Sequence, residues 1–501
     1  MYYPARRKFI SMDNQKLSDI QLIITAALKK EIPGDWFKSR GIAVHTLAAL
    51  KAGALKKQTD CRTGMVVIIT GAGPVAAKEA ACWIRDNFKP LFVLNIGTCG
   101  INDKRYSTGR WLVPRFTADE GGKILELDTR LPVPRPDAAI NVNSLLSVNR
   151  AITVNAPAAW KKHSLLDMEC FSQASVFRET GIPFHCLKYG TDYGDSNTIA
   201  DFNRNLSLLR DEIKKQFSFL DTNRSTIQIT TVIPVYNREN MIRRAIDSVL
   251  SQSYLPEEIV VVDDCSTDRT PDILESYRDE IKVIRLPDNA GPSKARNKGI
   301  GHAGTEWIAF LDSDDSWEKD KIKKQVHYLN QYPFYRIIQS EEKWIRNGKR
   351  VNPCRHHKKP SGWIWEQSLE RCLVSPSGVL LTKPLLKEYG GFDESLPVCE
   401  DYDLWLKISR HHPVGLEPGL SVVKYGGHKD QLSHQYPAMD RFRVKALVRL
   451  LEKEPHPDFR MKIIHILEKK LKILIKGYEK RLNTADAREC IKILDSINEC
   501  K

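Results

Sequence analysis

Two series of short Val- and Ile-rich runs, bounded by Gly or Pro and alternating with amphipathic helical patterns, restrict the fold of this chain more than any other feature. Runs this short and this apolar suit strands buried on both faces, and parallel strands of that kind need helical crossovers. The first series comprises 20–28 (IQLIITAAL), 65–70 (MVVIIT), 91–97 (LFVLNIG) and 183–190 (PFHCLKYG). Between them Ala77, Ala80, Ala81 and Ile84 form one face of a helix over 76–88, and SQASVFRETG closes on Gly181, a helix C-terminal signal. A polar amphipathic helix follows over 200–219, then the turn-rich DTNRST at 221–226.

The second series comprises 227–236 (IQITTVIPVY), 258–264 (EIVVVDD), 282–287 (KVIRLP) and 307–315 (WIAFLDSDD). Asn237 is placed to cap a helix whose apolar face is Ile242, Ala245, Ile246, Val249 and Leu250. From Arg441 the pattern turns helical, with Ile463, Ile464, Leu467, Leu471, Leu474 and Ile475 as one stripe. The fold class is therefore α/β: one α/β domain over 1–217, a linker over 218–226, a second α/β domain over 227–440 and a basic helical extension over 441–501.

Charge and length narrow the function classes. The chain of 501 residues carries a formal charge of +15, and residues 441–501 hold sixteen cations against nine anions. That excess suits a solvated helical face or peripheral contact with an anionic membrane. Nucleic acid is not expected as a partner, because only Phe442, Phe459 and Tyr478 stand among those cations. No run approaches the roughly 18 apolar residues of a membrane span, and the N-terminus lacks the apolar core of a secretory signal. The eleven cysteines form no C-x-x-C pair. Cys354, His356 and His357 read as a polar loop, and reduced thiols in a cytoplasmic protein are expected.

The carboxylates of the second series mark a site. Asp312, Asp314 and Asp315 follow a buried strand directly, and three anions in four residues repel one another unless a cation sits among them. Mg²⁺ or Mn²⁺, which take oxygen ligands, would answer that need; the alternative is an acidic first turn for a helix over 316–330. Ligands of open α/β sheets bind beyond the carboxyl ends of the strands, where two of the runs end in paired Asp.

Four ordered blocks, ITTVIPVYNRENMIRRAIDSVLSQSY, EIVVVDDCSTDRT, NAGPSKARNKGIGHAGTEWIAFLDSDDSW and GGFDESLPVCEDYDLWLKIS, resemble glycosyltransferase family 2 over about 227–435. The resemblance implies a GT-A fold and one-step inverting transfer from a nucleotide-diphosphate sugar to a glycan or lipid-linked acceptor. It implies that Pro234, Tyr236, Asn237, Asp263 and Asp264 hold the nucleoside, with Arg296 and Asn297 near it. It also implies metal contacts from Asp314, with Asp312 on ribose or the metal shell. Asp401 matches the catalytic base and Glu400 its partner. KYGGHKDQLSH offers His428 for metal or diphosphate, and His434 more weakly. Trp405 reads as core before acceptor wall.

In the first series Gly71 and Gly73 sit in a strand-to-helix turn, where glycine lets backbone approach a phosphate or sugar. With ITAALKKEI, VLNIGTCGI and LLDMECFSQASVFRETGIPFHCLKYGTDYGD, that turn resembles the nucleoside phosphorylase and purine nucleosidase superfamily over about 18–217, a three-layer fold. The resemblance implies ribose contacts from Met168 and Glu169, and purine protonation by Asp192, a role that requires a raised pKa. The acid that activates water in the hydrolases falls on Lys30 or Glu31, depending on register. Asn95, with Thr98 beyond it, stands where phosphorylases place an Arg, which disfavours phosphorolysis. Hydrolysis of a purine nucleoside, as a second or even the main activity, and a non-catalytic nucleoside-binding module both remain open at this level.

Overall fold

The computed structural model describes residues 20–52, 63–133, 139–149, 157–193, 195, 197–220, 227–346, 348–351, 358–427, 436 and 438–499. Its contacts divide the chain into two compact units, Met1–Asn223 with Asn330–Phe334, and Arg224–Leu329 with Tyr335–Lys501. Both are α/β, with a nine-stranded sheet in each.

In the first unit the strands Ala43–Thr46, Met65–Ile69, Leu22–Ala26, Phe92–Ile101 and Phe184–Asp192 lie side by side and parallel. The four apolar runs of the sequence supply four of these five. The sheet then closes on itself. Phe184–Asp192 pairs antiparallel with Trp111–Asp119, which pairs with Ile140–Ser147, then Leu165–Asp167, which returns to Phe92–Ile101. The strands that complete this ring escape the sequence pattern because they are not uniformly apolar: Pro114 and Arg115 interrupt one, and Asn141 and Asn143 another. Helices Pro74–Asn87 and Cys170–Thr180 cover the sheet, the second ending on Gly181 at φ 69°.

In the second unit Lys282–Arg285, Glu258–Asp263, Ile229–Val235 and Trp307–Phe310 run parallel, in that order. Val379–Thr382 and Ile337–Arg346 extend the sheet antiparallel, and Gly415–Gly426 lies parallel to the latter. Helix Gly291–His302 crosses so close that a Cβ on Gly299 would stand 2.4 Å from Val232 Cγ1, so only glycine admits the approach.

Two local expectations are corrected. Asn237 caps no helix, because the helix is Ile242–Leu250; instead Asn237 adopts φ 48° and accepts a hydrogen bond from Thr267 N at 2.8 Å. Nor does a helix begin at 316. Ser316–Trp317 pairs with Val422 and Val423, and the helix is Lys321–Gln331, so the acidic triplet is not its first turn.

Helices Asp440–Lys453, Pro457–Lys480 and Thr484–Glu499 pack into the second unit against Trp365, Leu369, Tyr402 and Leu406. Ile463, Ile464, Leu467, Leu471 and Leu474 are buried there, and Ile475 partly so. Lys462 pairs with Glu366, Lys469 with Glu370, and Arg410 with Glu454 at 2.8 Å. Each buried aliphatic side chain contributes about 1.5–3 kcal/mol against about 0–1 for an exposed ion pair such as Lys462–Glu366 or Lys469–Glu370, so the apolar stripe does most to hold these helices in place. Among the described residues no helix is long and apolar enough to cross a membrane.

Candidate functional site

The second unit gathers carboxylates where its parallel strands end. Asp312 stands two residues beyond Phe310, and its carboxylate lies between two protein cations: Arg296 Nη2 at 2.7 Å and Lys424 Nζ at 3.7 Å. Arg296 also donates to Glu400 Oε1 at 2.6 Å, and Lys424 reaches Asp315 Oδ2 at 3.0 Å. The Ser377 hydroxyl donates to Asp315 Oδ2 at 2.6 Å and accepts from Asp312 N at 3.1 Å, which sets the turn between the two acids. Protein cations thus flank two of the three acids, but the repulsion is only partly relieved: burial, with the charges of Asp314 and Asp312, pushes Asp315 up to about 7 despite Lys424. Burial opposes the charge on Asp312, but Arg296 and Lys424 more than offset it and hold its pKa below the usual value. Burial wins at Glu400, whose carboxyl is pushed up to about 7 despite Arg296.

Asp314 is half-buried beside them, and its carbonyl accepts from Arg244 Nη2 at 2.6 Å. Among the described residues no three His, Cys, Asp or Glu side chains converge into a metal cage, and His428 and His434, like Cys354, His356 and His357, lie outside those residues. The donor set still fits a hard cation. Asp312 and Asp314 offer only oxygen, and Mg²⁺ or Mn²⁺ is commonly held by one or two carboxylates completed by substrate phosphates.

The nucleoside-side residues divide. Pro234 is buried in its strand, and Tyr236 is exposed at the strand's end. Asp263 Oδ2 pairs with Arg285 at 3.1 Å, and its Oδ1 accepts from Ser266 N at 3.0 Å. Asp264 has both oxygens on the N-terminus of Gly291–His302, accepting from Ala290 N and Gly291 N at 2.8 Å each, so it fixes that helix. Asn297 serves the far side of the same helix: its amide donates to Phe392 O at 2.8 Å and Glu394 Oε1 at 2.9 Å and accepts from Phe392 N at 3.0 Å. Its side chain therefore positions the 392–394 loop. Glu400 and Asp401 open helix Glu400–Ser409, directly after Cys399 at φ 65°. Asp401 Oδ2 accepts from the Cys372 thiol at 3.3 Å and Oδ1 from Tyr402 N at 2.7 Å. Trp405 is 2% exposed and packs on Phe392, so it belongs to the core.

In the first unit Glu31, Met168, Glu169 and Asp192 line one cavity of about 410 Å³, with Lys30 and Phe202 also on its wall. Of the two register choices, Glu31 is the carboxylate on the cavity wall: it is 2% exposed and accepts from Leu28 N at 2.8 Å and the Thr98 hydroxyl at 2.8 Å. Lys30 turns its ammonium over the Phe202 ring at 5.1 Å. Gly73 N donates to Glu169 Oε1 at 3.0 Å, so the turn positions a carboxylate, and Ala72, between the two glycines, touches the cavity. Burial, reinforced by Asp167, pushes Glu169 up to about 7. Asp192 accepts from the Thr191 hydroxyl at 2.8 Å. Asn95 is buried and donates to Thr25 Oγ1 at 3.2 Å, inside the core.

Sequence reasoning passed over Lys424, Ser377 and Lys188. Lys188 pairs with Asp167 at 2.8 Å with both side chains buried, and a Lys inside an otherwise apolar strand was the available signal. Ser377 and Lys424 carry no local signal, because their partners lie more than 60 residues away.

Residues 230–374 match the family model "Glycosyl transferase family 2". An uncharacterized glycosyltransferase of Rickettsia felis is 34% identical over 202 residues, 40% of this chain and 33% of its own. The putative teichuronic acid biosynthesis glycosyltransferase TuaG of Bacillus subtilis is 43% identical over 104 residues, 20% of this chain and 41% of its own. The matched stretches thus span less than two thirds of these relatives. Among solved structures, S. aureus TarS 1-349 in complex with UDP aligns with TM-score 0.39 and 23% identity, covering 50% of this chain and 72% of that one. The 5'-methylthioadenosine/S-adenosylhomocysteine nucleosidase from Helicobacter pylori aligns with TM-score 0.30 and 15% identity, covering 40% and 98%.

Proposed function

We propose that the second unit is an inverting, metal-dependent glycosyltransferase that moves a sugar from a nucleotide-diphosphate sugar to a glycan or lipid-linked acceptor, in cell-envelope polysaccharide synthesis. The observation that carries this reading is the family match over 230–374, which takes in the Asp312–Asp315 cluster at the strand ends. The similarity to TuaG, a putative teichuronic acid biosynthesis glycosyltransferase, supports the polysaccharide setting. In this reading Asp263 and Tyr236 face the nucleoside, and Asp314 with Asp312 holds Mg²⁺ or Mn²⁺. When bound, that ion neutralises charge on the departing diphosphate. Asp401 takes the acceptor's proton, and Arg296 keeps the helix that bears it in register with Asp312. A panel of UDP-, GDP- and dTDP-sugars with Mn²⁺, scored by nucleoside diphosphate release, tests the reading. Release from no donor of the panel, with any glycan acceptor, overturns it.

For the first unit the cavity supports a purine-nucleoside site. Glu31 is poised to activate water, Glu169 and Met168 to hold ribose, and Asp192 to protonate the purine. Incubating the full chain with methylthioadenosine, S-adenosylhomocysteine, adenosine and inosine separates the outcomes. Free base that vanishes in Asp192→Asn supports hydrolysis; binding without base release supports a regulatory module.

A further inference from the structure

Two protein cations flank Asp312, and they differ in freedom. Arg296 is 5% exposed, with one terminal nitrogen on Asp312 and the other on Glu400. Lys424 lies near the end of strand Gly415–Gly426, with its side chain 16% exposed. Its contact with Asp315 at 3.0 Å is a hydrogen-bonded ion pair, and Asp315 is itself held by Ser377. Its approach to Asp312 at 3.7 Å is Coulombic only, beyond hydrogen-bond length. A lysine ammonium has three donors on a flexible stem. Lys424 is therefore hydrogen-bonded to Asp315, with Glu342 and Asp312 as Coulombic neighbours and the Trp344 ring 5.9 Å away, at the turn where three carboxylates gather. A phosphate oxygen in that space would offer it a shorter, charge-assisted bond.

We propose that Lys424 is a diphosphate-binding residue of the donor site, its ammonium staying on Asp315 while it passes from Asp312 to a phosphate oxygen of the nucleoside diphosphate. The inference rests on the transferase reading and adds to it a binding cation supplied by the chain itself. It also gives Asp315 a use: a carboxylate that aims a lysine.

The test is titration of the full chain with UDP, GDP and dTDP by calorimetry, with Mn²⁺ binding followed separately by electron paramagnetic resonance. Lys424→Met is expected to weaken binding of the accepted nucleotide about tenfold, with or without Mn²⁺, as loss of one charge-assisted bond does. Lys424→Arg is expected to retain most of it. Because Lys424→Met leaves Asp315 buried beside no cation, the double variant Lys424→Met/Asp315→Asn serves as the folded comparison, its Mn²⁺ signal reporting that Asp312 and Asp314 are in place. Weak nucleotide binding in the double variant supports the inference; wild-type binding in either Lys424→Met variant overturns it and leaves the transferase reading standing. A wild-type chain that binds none of the three nucleotides, with or without Mn²⁺, overturns both.

Discussion

Arg296 donates a hydrogen bond to Glu400 Oε1 at 2.6 Å across 104 residues of chain. Through its other terminal nitrogen it holds Asp312, so one guanidinium ties the strand end of the donor side to the helix that carries Asp401. Planar two-nitrogen geometry makes this an arginine task. Arg296→Met takes the cation from buried Glu400 and leaves Asp312 with Lys424 at 3.7 Å, and breaking a buried pair in this way costs about 3–5 kcal/mol. Urea unfolding should show that loss, with partial recovery in Arg296→Met/Glu400→Gln. Wild-type stability of the single variant would falsify the tie.

Asp314→Ala should abolish sugar transfer and leave the unfolding midpoint near wild type, because the side chain is half-buried. Turnover of every accepted donor at the wild-type rate would remove Asp314 from the metal site.

Asp401→Asn keeps the shape and removes the proposed base. Donor binding by calorimetry should stay within about twofold, a shift of only about 0.4 kcal/mol. Transfer should fall by the roughly 10²–10⁴-fold that general base catalysis supplies. Transfer near the wild-type rate would exclude Asp401 as the base.

Glu169 makes a pH-dependent prediction for the first unit. Its carboxyl is raised from 4.5 to about 7, chiefly by burial. A raised folded-state pKa means stability that is full below about 4.5 and is lost as pH climbs to about 7, amounting to about 3 kcal/mol at most. Glu169→Gln, which can still accept from Gly73 N, escapes that loss. The Tm of the variant should gain on wild type between pH 5 and 7 and then run parallel. A constant offset across that range would place the Glu169 pKa near its ordinary value.

Leu467→Ala in helix Pro457–Lys480 should destabilise the second unit by about 2–5 kcal/mol, since Leu467 is fully buried among Trp365, Tyr402 and Leu447 in one cluster. Lys472→Ala, on the exposed face, should change stability by less than about 0.5 kcal/mol. Equal effects from the two would mean that the helix is not docked.

Much of this was written in local pattern. Predominantly apolar runs became the parallel strands Leu22–Ala26, Met65–Ile69, Ile229–Val235 and Glu258–Asp263, because a strand buried on both faces has few polar positions to blur its signal. Trp111–Asp119 and Ile337–Arg346 were not legible, since their exposed positions break the run. Asn237 was misjudged as a cap because its partner Thr267 lies 30 residues on, beyond any window that reads capping.

The order and chemistry of the carboxylates, from Asp263 through Asp312 and Asp314 to Asp401, and the α/β character around them, were properties of the chain read as a string. Backbone periodicity and residue type act over a few neighbours, and such information survives without coordinates. What balances those charges was not. The string suggested a bound ion among the aspartates; folding brings Arg296 and Lys424 to them, just as it brings Gly73 to Glu169 and Glu31 to Thr98. Ion pairs and hydrogen bonds depend on distance in space, and a separation of 16 to 112 residues along the chain says nothing about that until the sheets have closed.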